Sequence, residues 1–242
     1  MDFWGTLVID SPGFDEYYRR QRLTDFQRIV AGAGETVSPA ALDRAYEASG
    51  AVLGEAWALG RDLSVEQHVR AVLDAVDRTL AERLAVSTLA DLVEAYSRPA
   101  LLAPPTVDPA AAAGLELLRT RGYVLCVVSN TMRSPGATLR RVLDHHGLLP
   151  LFATLTFSDE CGIRKPDPEI FALTLRAVSV AAADAIHVGD DPTLDVEGAR
   201  AAGMRVVRVT RGRSRSNDPE ADATIADLSG LADAVLELDA QS

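Results

Sequence analysis

Four places in the chain carry residue types that could do chemistry together. Asp2 is followed closely by Gly5-Thr6. Ser129-Asn130 closes the apolar run YVLCVV, Lys165-Pro166 comes after the run ATLTF, and Asp190, Asp191 and Asp195 come after AIHVG. A carboxylate can attack phosphorus and form an acyl-phosphate, which splits one displacement into two. Attack of one anion on another needs charge neutralisation, and Mg²⁺ supplies it when held by one or two carboxylates, phosphate and water. Asp2 and Asp190 can be those carboxylates. Lys165 can balance the remaining charge as a point cation. Ser129, with Asn130 beside it, and the nearby backbone N–H groups can bind phosphate oxygens.

Lys165 is the only lysine among 24 basic residues. Against an arginine background, a lone lysine marks a place where a compact ammonium serves and a guanidinium fork does not.

The elements that must position these groups are legible in outline. After residue 105 apolar β-rich runs alternate with helical segments. The runs are 123–128, 153–157, 185–189, 205–209 and 223–225; the helical segments lie near 109–121, 136–146, 168–179, 194–202 and 227–238. That rhythm predicts a doubly wound parallel α/β sheet, Rossmann-like, with ligands bound beyond the carboxyl ends of its strands. Residues 14 to about 98 read instead as amphipathic helices. Phe14, Tyr18, Phe26, Ile29 and Val30 mark the first. Ser38-Pro39 starts the second, whose stripe runs Leu42, Tyr46, Ser49, Leu53, Ala56 and Trp57. Ser64 to Gln67 is a capping box, and Ser87 is the expected cap of a further helix. The proline-rich stretch SRPALLAPPTVDP links the two regions.

Composition limits the function classes. The 242 residues are 48% hydrophobic and 24% charged, with a net charge of −11. Such a chain repels nucleic acid and anionic membranes unless a local basic patch intervenes. The one candidate patch, Arg208, Arg211, Arg213 and Arg215, reads as a solvated surface loop. No apolar run approaches the ~18 residues of a membrane span, and no signal peptide is visible. The expectation is a cytoplasmic monomer or homodimer acting on a small-molecule substrate, without nucleic-acid or membrane partners. Cys126 and Cys161 have no metal spacing and are expected to be free thiols.

The segments DFWGTL, VVSN, RKPDPEIF and VGDDPTLDVEGARAAGM, in this order, resemble the haloacid dehalogenase-like hydrolase superfamily. The resemblance implies a core over 1–13 and 105–242 and an inserted helical cap over 14–104. It implies Mg²⁺-dependent hydrolysis of a small phosphorylated metabolite through an aspartyl-phosphate. By that resemblance Asp2 is the nucleophile, Ser129 and Lys165 bind phosphate and balance charge, and Asp190 is a metal ligand. Asp195 is then a ligand or supports one, Asp191 is less defined, and the main-chain carbonyl of Trp4 is a further ligand.

Two departures qualify the resemblance. Phosphatases of the superfamily usually have Asp two residues after the nucleophile, where this chain has Trp4. Dehalogenases also lack an acid there and need no metal, so a metal-independent 2-haloacid dehalogenase is one alternative, and a weak or inactive binding protein another. Asp190 favours the metal-dependent branch. Secondly, Asp2 should end a buried central strand of about five residues, for which Met1 alone is present. The expectation is an apolar strand encoded upstream of Met1; otherwise the sheet has a gap and two unpaired neighbours. Of the remaining polar residues, His187 is expected to be a packed core histidine, and Arg19, Arg20 and Arg22 a solvated helix face that could instead meet an anionic substrate. His145 and His146 suit a helix C-terminus, and Asp167 and Glu169 a helix N-terminus.

Overall fold

A computed structural model of the chain describes residues 1–9, 13–213 and 217–241. The helical region forms α1 (Phe14–Gly32), α2 (Pro39–Ala58), α3 (Val65–Val76), α4 (Leu80–Arg83), α5 (Val86–Ser97) and α6 (Pro99–Leu102). Local chemistry sets their starts. Ser38 accepts a hydrogen bond from Ala41 N with Pro39 in the first turn, and Ser64 and Gln67 form the reciprocal capping box. Ser87 does not cap: α5 begins after Ala85, which turns out of an extended stretch, and Ser87 lies inside the first turn. The apolar stripes close on one another into a cluster of their own that includes Phe26, Leu42, Val72, Leu73, Leu92 and Tyr96. No helix among the described residues is long and apolar enough to cross a membrane.

The second region opens with β1 (Val8–Ile9) antiparallel to β2 (Thr106–Val107), a short ribbon at the junction. Then come α7 (Ala111–Thr120), β3 (Cys126–Ser129), α8 (Gly136–His145), β4 (Thr154–Phe157), α9 (Ser158–Cys161), α10 (Pro168–Val178), β5 (Ile186–Gly189), α11 (Gly198–Ala201), β6 (Arg205–Val209), β7 (Ala223–Ile225) and α12 (Leu231–Asp239). The helix expected near 194–202 is a π-helical turn, Pro192–Glu197, running into α11, with Asp191 as its cap. All main ladders are parallel, β3 with β4 and β5 with β6 with β7. Val128, Val206, Phe171 and Val196 pack one face of the sheet, while Val127, Val207, Leu115, Leu139 and Leu231 pack the other. Both faces are therefore covered, as the near-continuous apolar strands require.

The sheet is nevertheless in two pieces. Among the described residues, only Met1 and Asp2 stand between β3 and β5. Met1 N donates to Cys126 O at 2.7 Å, Val128 N to Met1 O at 2.9 Å and Asp2 N to Val188 O at 2.8 Å. This is the ladder of a parallel strand two residues long. Behind it lies a cavity of about 420 Å³, lined by Met1, Leu125, Cys126, Ile186 and Val188 among others. Tyr123–Leu125, expected as strand, lie outside β3. They flank the cavity, and an extended backbone with a partner on one side only does not complete a ladder there.

Cap and core are latched beside the strand ends. Asp62, just past α2, pairs backbone with the loop after α9: Asp62 N donates to Gly162 O at 3.1 Å and Arg164 N to Gly60 O at 3.0 Å. The Asp62 carboxylate meets Arg164 Nη1 at 2.6 Å, accepts from Trp57 Nε1 at 2.8 Å and accepts from the Ser158 hydroxyl. The Arg164 guanidinium also lies 4.4 Å from the centroid of the Trp57 ring. Both charged side chains are buried. Removing one partner leaves a buried charge without its counterion. Asp62→Ala is therefore expected to lower unfolding stability by about 3–5 kcal/mol, read as a reduced urea midpoint. A midpoint unchanged from wild type would show that the latch contributes nothing.

Candidate active site

The polar strand ends converge. Lys165 Nζ lies 2.7 Å from Asp2 Oδ1 and 2.6 Å from Asp195 Oδ1. Asp195 Oδ1 also accepts from His187 Nε2 at 2.8 Å, and Asp195 Oδ2 accepts from Asp191 N at 3.0 Å. Asn130 grips the Lys165 backbone from both sides, its amide donating to Lys165 O and its carbonyl accepting from Lys165 N. The Asn130 side chain thus holds Lys165 rather than a ligand. Asp190 accepts from the Thr6 hydroxyl at 3.2 Å and fills the space where a Cβ on Gly5 would sit, with Gly5 at φ 72°. That close approach requires glycine. Arg211 fastens the same turn, donating to Gly5 O at 2.8 Å and Thr6 O at 2.6 Å while pairing with Asp108.

Electrostatics separates the carboxylates. Burial works against the Lys165 ammonium, but Asp195 and Asp2 outweigh it and hold its pKa above the ordinary lysine value. Burial also opposes the Asp195 carboxylate, yet Lys165 and His187 keep its pKa below the usual range. His187 is pushed down to about 4 by burial, against the pull of Asp195. It is therefore neutral at pH 7 and donates through Nε2–H. Asp2 is raised by burial, with Lys165 opposing. Asp190 is raised to about 7, by burial first and then by the charges of Asp2 and Asp195. One ammonium cannot neutralise three carboxylates.

A divalent cation fits this arrangement. Oxygens of Asp2, Asp190 and Asp195 lie within 4.8 Å of one another. Both Asp195 oxygens are already engaged, so Asp2 and Asp190 are the pair with capacity to spare. Asp2 Oδ1 lies 2.7 Å from the Lys165 ammonium, and the buried Ser129 hydroxyl lies beside the Asp2 carboxylate without an aligned hydrogen bond among the described residues. A buried polar atom without an aligned partner is costly, and the Ser129 hydroxyl has that capacity to spare beside Asp2. Trp4, the next residue but one, offers its main-chain carbonyl; its indole N–H is buried without a hydrogen-bond partner among the described residues.

Other expectations are met unevenly. His187 is a packed, hydrogen-bonded histidine, and Asp167 caps α10. His146 is hydrogen-bonded to Pro105 O. Cys126 and Cys161 are free thiols. The basic loop is not simply solvated: Arg208 is buried against Asp218, and Arg211 is built into the Gly5-Thr6 turn. Only Arg213 is exposed, and Arg215 lies outside the described residues. Arg19 pairs with Asp43 and Glu47, and Arg20 is solvated. Arg22 is buried instead, donating to Tyr96 O and Arg133 O. Asp62 and Arg164 were not marked by sequence. Their partners are distant in the chain, and no local spacing reveals them.

A family model described as haloacid dehalogenase-like hydrolase matches residues 1–203. Phosphoserine phosphatase of Thermus thermophilus is 41% identical over 140 residues, 57% of this chain and 54% of that protein. Phosphoglycolate phosphatase of Rhodospirillum rubrum is 38% identical over 121 residues, 50% of this chain and 48% of that protein. The chain thus spans about half the length of the curated relatives it matches. Among solved structures, 2-haloacid dehalogenase from Pseudomonas syringae superposes with a TM-score of 0.73 at 25% identity, over 98% of this chain and 96% of that one. A phosphatase from Thermococcus onnurineus gives 0.60 at 25% identity, over 97% and 95%. With the family model spanning both the helical region and most of the parallel sheet, the chain belongs to the haloacid dehalogenase-like hydrolases.

Proposed function

We propose that this protein is a Mg²⁺-dependent hydrolase of a small phosphorylated metabolite, with Asp2 as nucleophile. The observation that carries the reading is the uncompensated carboxylate pair, Asp2 and Asp190, beside a single buried ammonium. Mg²⁺, when bound, would neutralise the charge between carboxylate and phosphate. Asp2, Asp190 and the Trp4 carbonyl would hold it. An Asp2 oxygen attacks phosphorus, the bond to the leaving oxygen breaks, and water then hydrolyses the aspartyl-phosphate. Lys165 and the Ser129 hydroxyl would meet the phosphate oxygens, while Asp195, His187 and Asn130 keep Lys165 in place. Residues 14–104 act as the cap and 1–13 with 105–242 as the core, and the Asp62–Arg164 latch closes one on the other to exclude water. The curated relatives named above for phosphoserine and phosphoglycolate support this substrate class.

Trp4 favours a second reading, metal-independent dehalogenation, because its side chain can neither protonate a leaving group nor activate water. The likeness to the Pseudomonas enzyme points the same way. Assays with phosphomonoesters and with 2-haloacids, each with Mg²⁺ and with chelator, separate the two. Phosphate release that requires Mg²⁺ is expected; halide release untouched by chelator would replace the proposal.

Asp2→Asn should lower kcat by about 10⁴ or more, since the nucleophile is removed. Lys165→Arg should lower it about 10²-fold, as the fork misplaces the charge between Asp2 and Asp195; full activity would remove the reason for a lysine here.

Without metal, Asp190 makes stability depend on pH. Its pKa is about 7 when folded against an ordinary value of 3.8. Between these values the folded state holds a proton that the unfolded state releases, so stability falls as pH rises. Asp190→Asn should therefore melt higher than wild type above pH 7 in chelator, with the difference fading towards pH 4. Added Mg²⁺ should raise the wild-type Tm and not that of the variant. Identical melting of the two at every pH would show that no such charge is stored.

A further inference from the structure

Trp4 stands two residues from the proposed nucleophile, on the turn that presses Gly5 against Asp190. Its indole can donate a hydrogen bond but has no acceptor nitrogen and no proton to give near neutral pH. The turn fixes it there. Trp4 pairs with Val8 in a β-bridge, its ring meets the ring of Phe3 edge-on at 5.1 Å between centroids, and Phe3 is wholly buried. The groups around Asp2 that could carry a proton are each committed to a partner among the described residues. Lys165 lies between the Asp2 and Asp195 carboxylates, so loss of its proton would leave two anions side by side. His187 spends Nε2 on Asp195, and its ring packs on Phe171. Asp191 caps the π-helical turn through the N–H groups of Thr193 and Leu194. Asp190 is the second carboxylate of the candidate metal pair and accepts from Thr6. Farther out, Asp62 is held by Arg164, and His68 sits between the Tyr96 hydroxyl and Asp62. Asp159 takes the Gly136 N–H on both its oxygens at the start of α8. Ser129 and Thr6 offer hydroxyls, which are not among the groups that ordinarily serve as general acid or base.

We propose, resting on the phosphatase reading above, that this site runs both halves of its reaction without a general acid or base. Its substrates are then phosphate compounds whose leaving group is a weakly basic oxyanion: an acyl phosphate, an aryl phosphate or a phosphoanhydride rather than an alkyl monoester. In the first half a bond forms between an Asp2 oxygen and phosphorus, and the bond from phosphorus to the leaving oxygen breaks. That oxygen keeps the electron pair and departs unprotonated. A carboxylate, a phenolate or a phosphate is stable in that form, whereas an alkoxide is not. In the second half water attacks the aspartyl-phosphate, the bond from Asp2 to phosphorus breaks, and the water proton passes to solvent or to the phosphate product. A positioned acid or base contributes typically about 10²–10⁴-fold. The first half escapes that loss when the leaving group is a weak base, but the second half bears it with every substrate. The aspartyl-phosphate therefore accumulates during turnover.

Rapid mixing of the protein with nitrophenyl phosphate and Mg²⁺ tests this. The expected record is a burst of about one nitrophenolate per active site followed by slower steady release. Acid-quenched protein should carry a phosphoryl group that hydroxylamine removes and that Asp2→Asn lacks. The value of kcat/KM, which reports the first half, should be at least about 10²-fold higher for nitrophenyl and acetyl phosphate than for glycerol phosphate. The two good substrates should share one kcat, since they share the second half. Trp4→Asp, which places a carboxyl on the turn, should remove the burst and raise turnover of glycerol phosphate at least about 10²-fold. The measurements on the unaltered chain decide the matter even where that variant does not fold. Phosphate released as fast as nitrophenolate, with no burst, would overturn the proposal and leave the phosphatase reading intact, as would equal kcat/KM for alkyl and aryl esters. Neither release nor phosphoryl incorporation from any of the three substrates in Mg²⁺ would overturn the phosphatase reading itself, and this proposal with it.

Discussion

The ammonium of Lys165 sits between two carboxylates at 2.7 and 2.6 Å, almost wholly removed from water, and the geometry around it follows from that burial. A buried cation is tolerated only when its counterions and hydrogen bonds are fixed. Asp195 meets this need because His187 and the Asp191 N–H hold its remaining capacity. Asn130 fixes the Lys165 backbone. These partners come from the ends of β3 and β5 and from the loop before α10. The parallel register of the sheet is therefore what places the charge.

The same cluster is built with more negative charge than it can satisfy. Lys165 offsets Asp2 and Asp195, and Asp190 is left to a hydroxyl, a crowded glycine and a pKa raised to about 7. A core selected for stability alone would replace Asp190 with a neutral group. Keeping it is consistent with a site that gains its missing positive charge from a ligand. Strain of this kind collects where function needs it and is offset elsewhere, here by the apolar cluster of the helical region and the two of the core.

Much of this was legible in the sequence, and what was not has physical causes. RVVRV and ATI are strands as read, because flanking strands and helices cover them. YVLCVV formed only in its second half, since strand formation depends on a neighbour as well as on residue type. Ser38 and Ser64 cap as their spacing indicates, whereas Ser87 fails because the chain enters α5 two residues earlier. Ser129, Lys165, Asp190 and Asp195 could be found because each comes after an apolar run, and Asp2 because Gly5-Thr6 follows it closely and its segment opens the ordered set of motifs. Asp62 could not, because its partner Arg164 is 102 residues away. Arg22 was misplaced for the reverse reason: its helix looks polar there, yet the tertiary fold buries it.

Arg164 and Lys165, neighbours in one loop, show why the two cations are not interchangeable. Arg164 uses the flat guanidinium: one edge meets Asp62 and the face lies on Trp57, so it joins cap to core through shape as well as charge. Lys165 must instead place a point charge between two carboxylates from different strand ends, where a planar fork would push them apart. An exchange of the two residues would keep the net charge and lose both functions. In a chain whose other basic residues are all arginine, the lysine stands where the geometry demands a sphere. One link between cap and chemistry then runs through the Arg164–Lys165 peptide bond, because the latch that positions Arg164 also sets where the backbone of Lys165 begins.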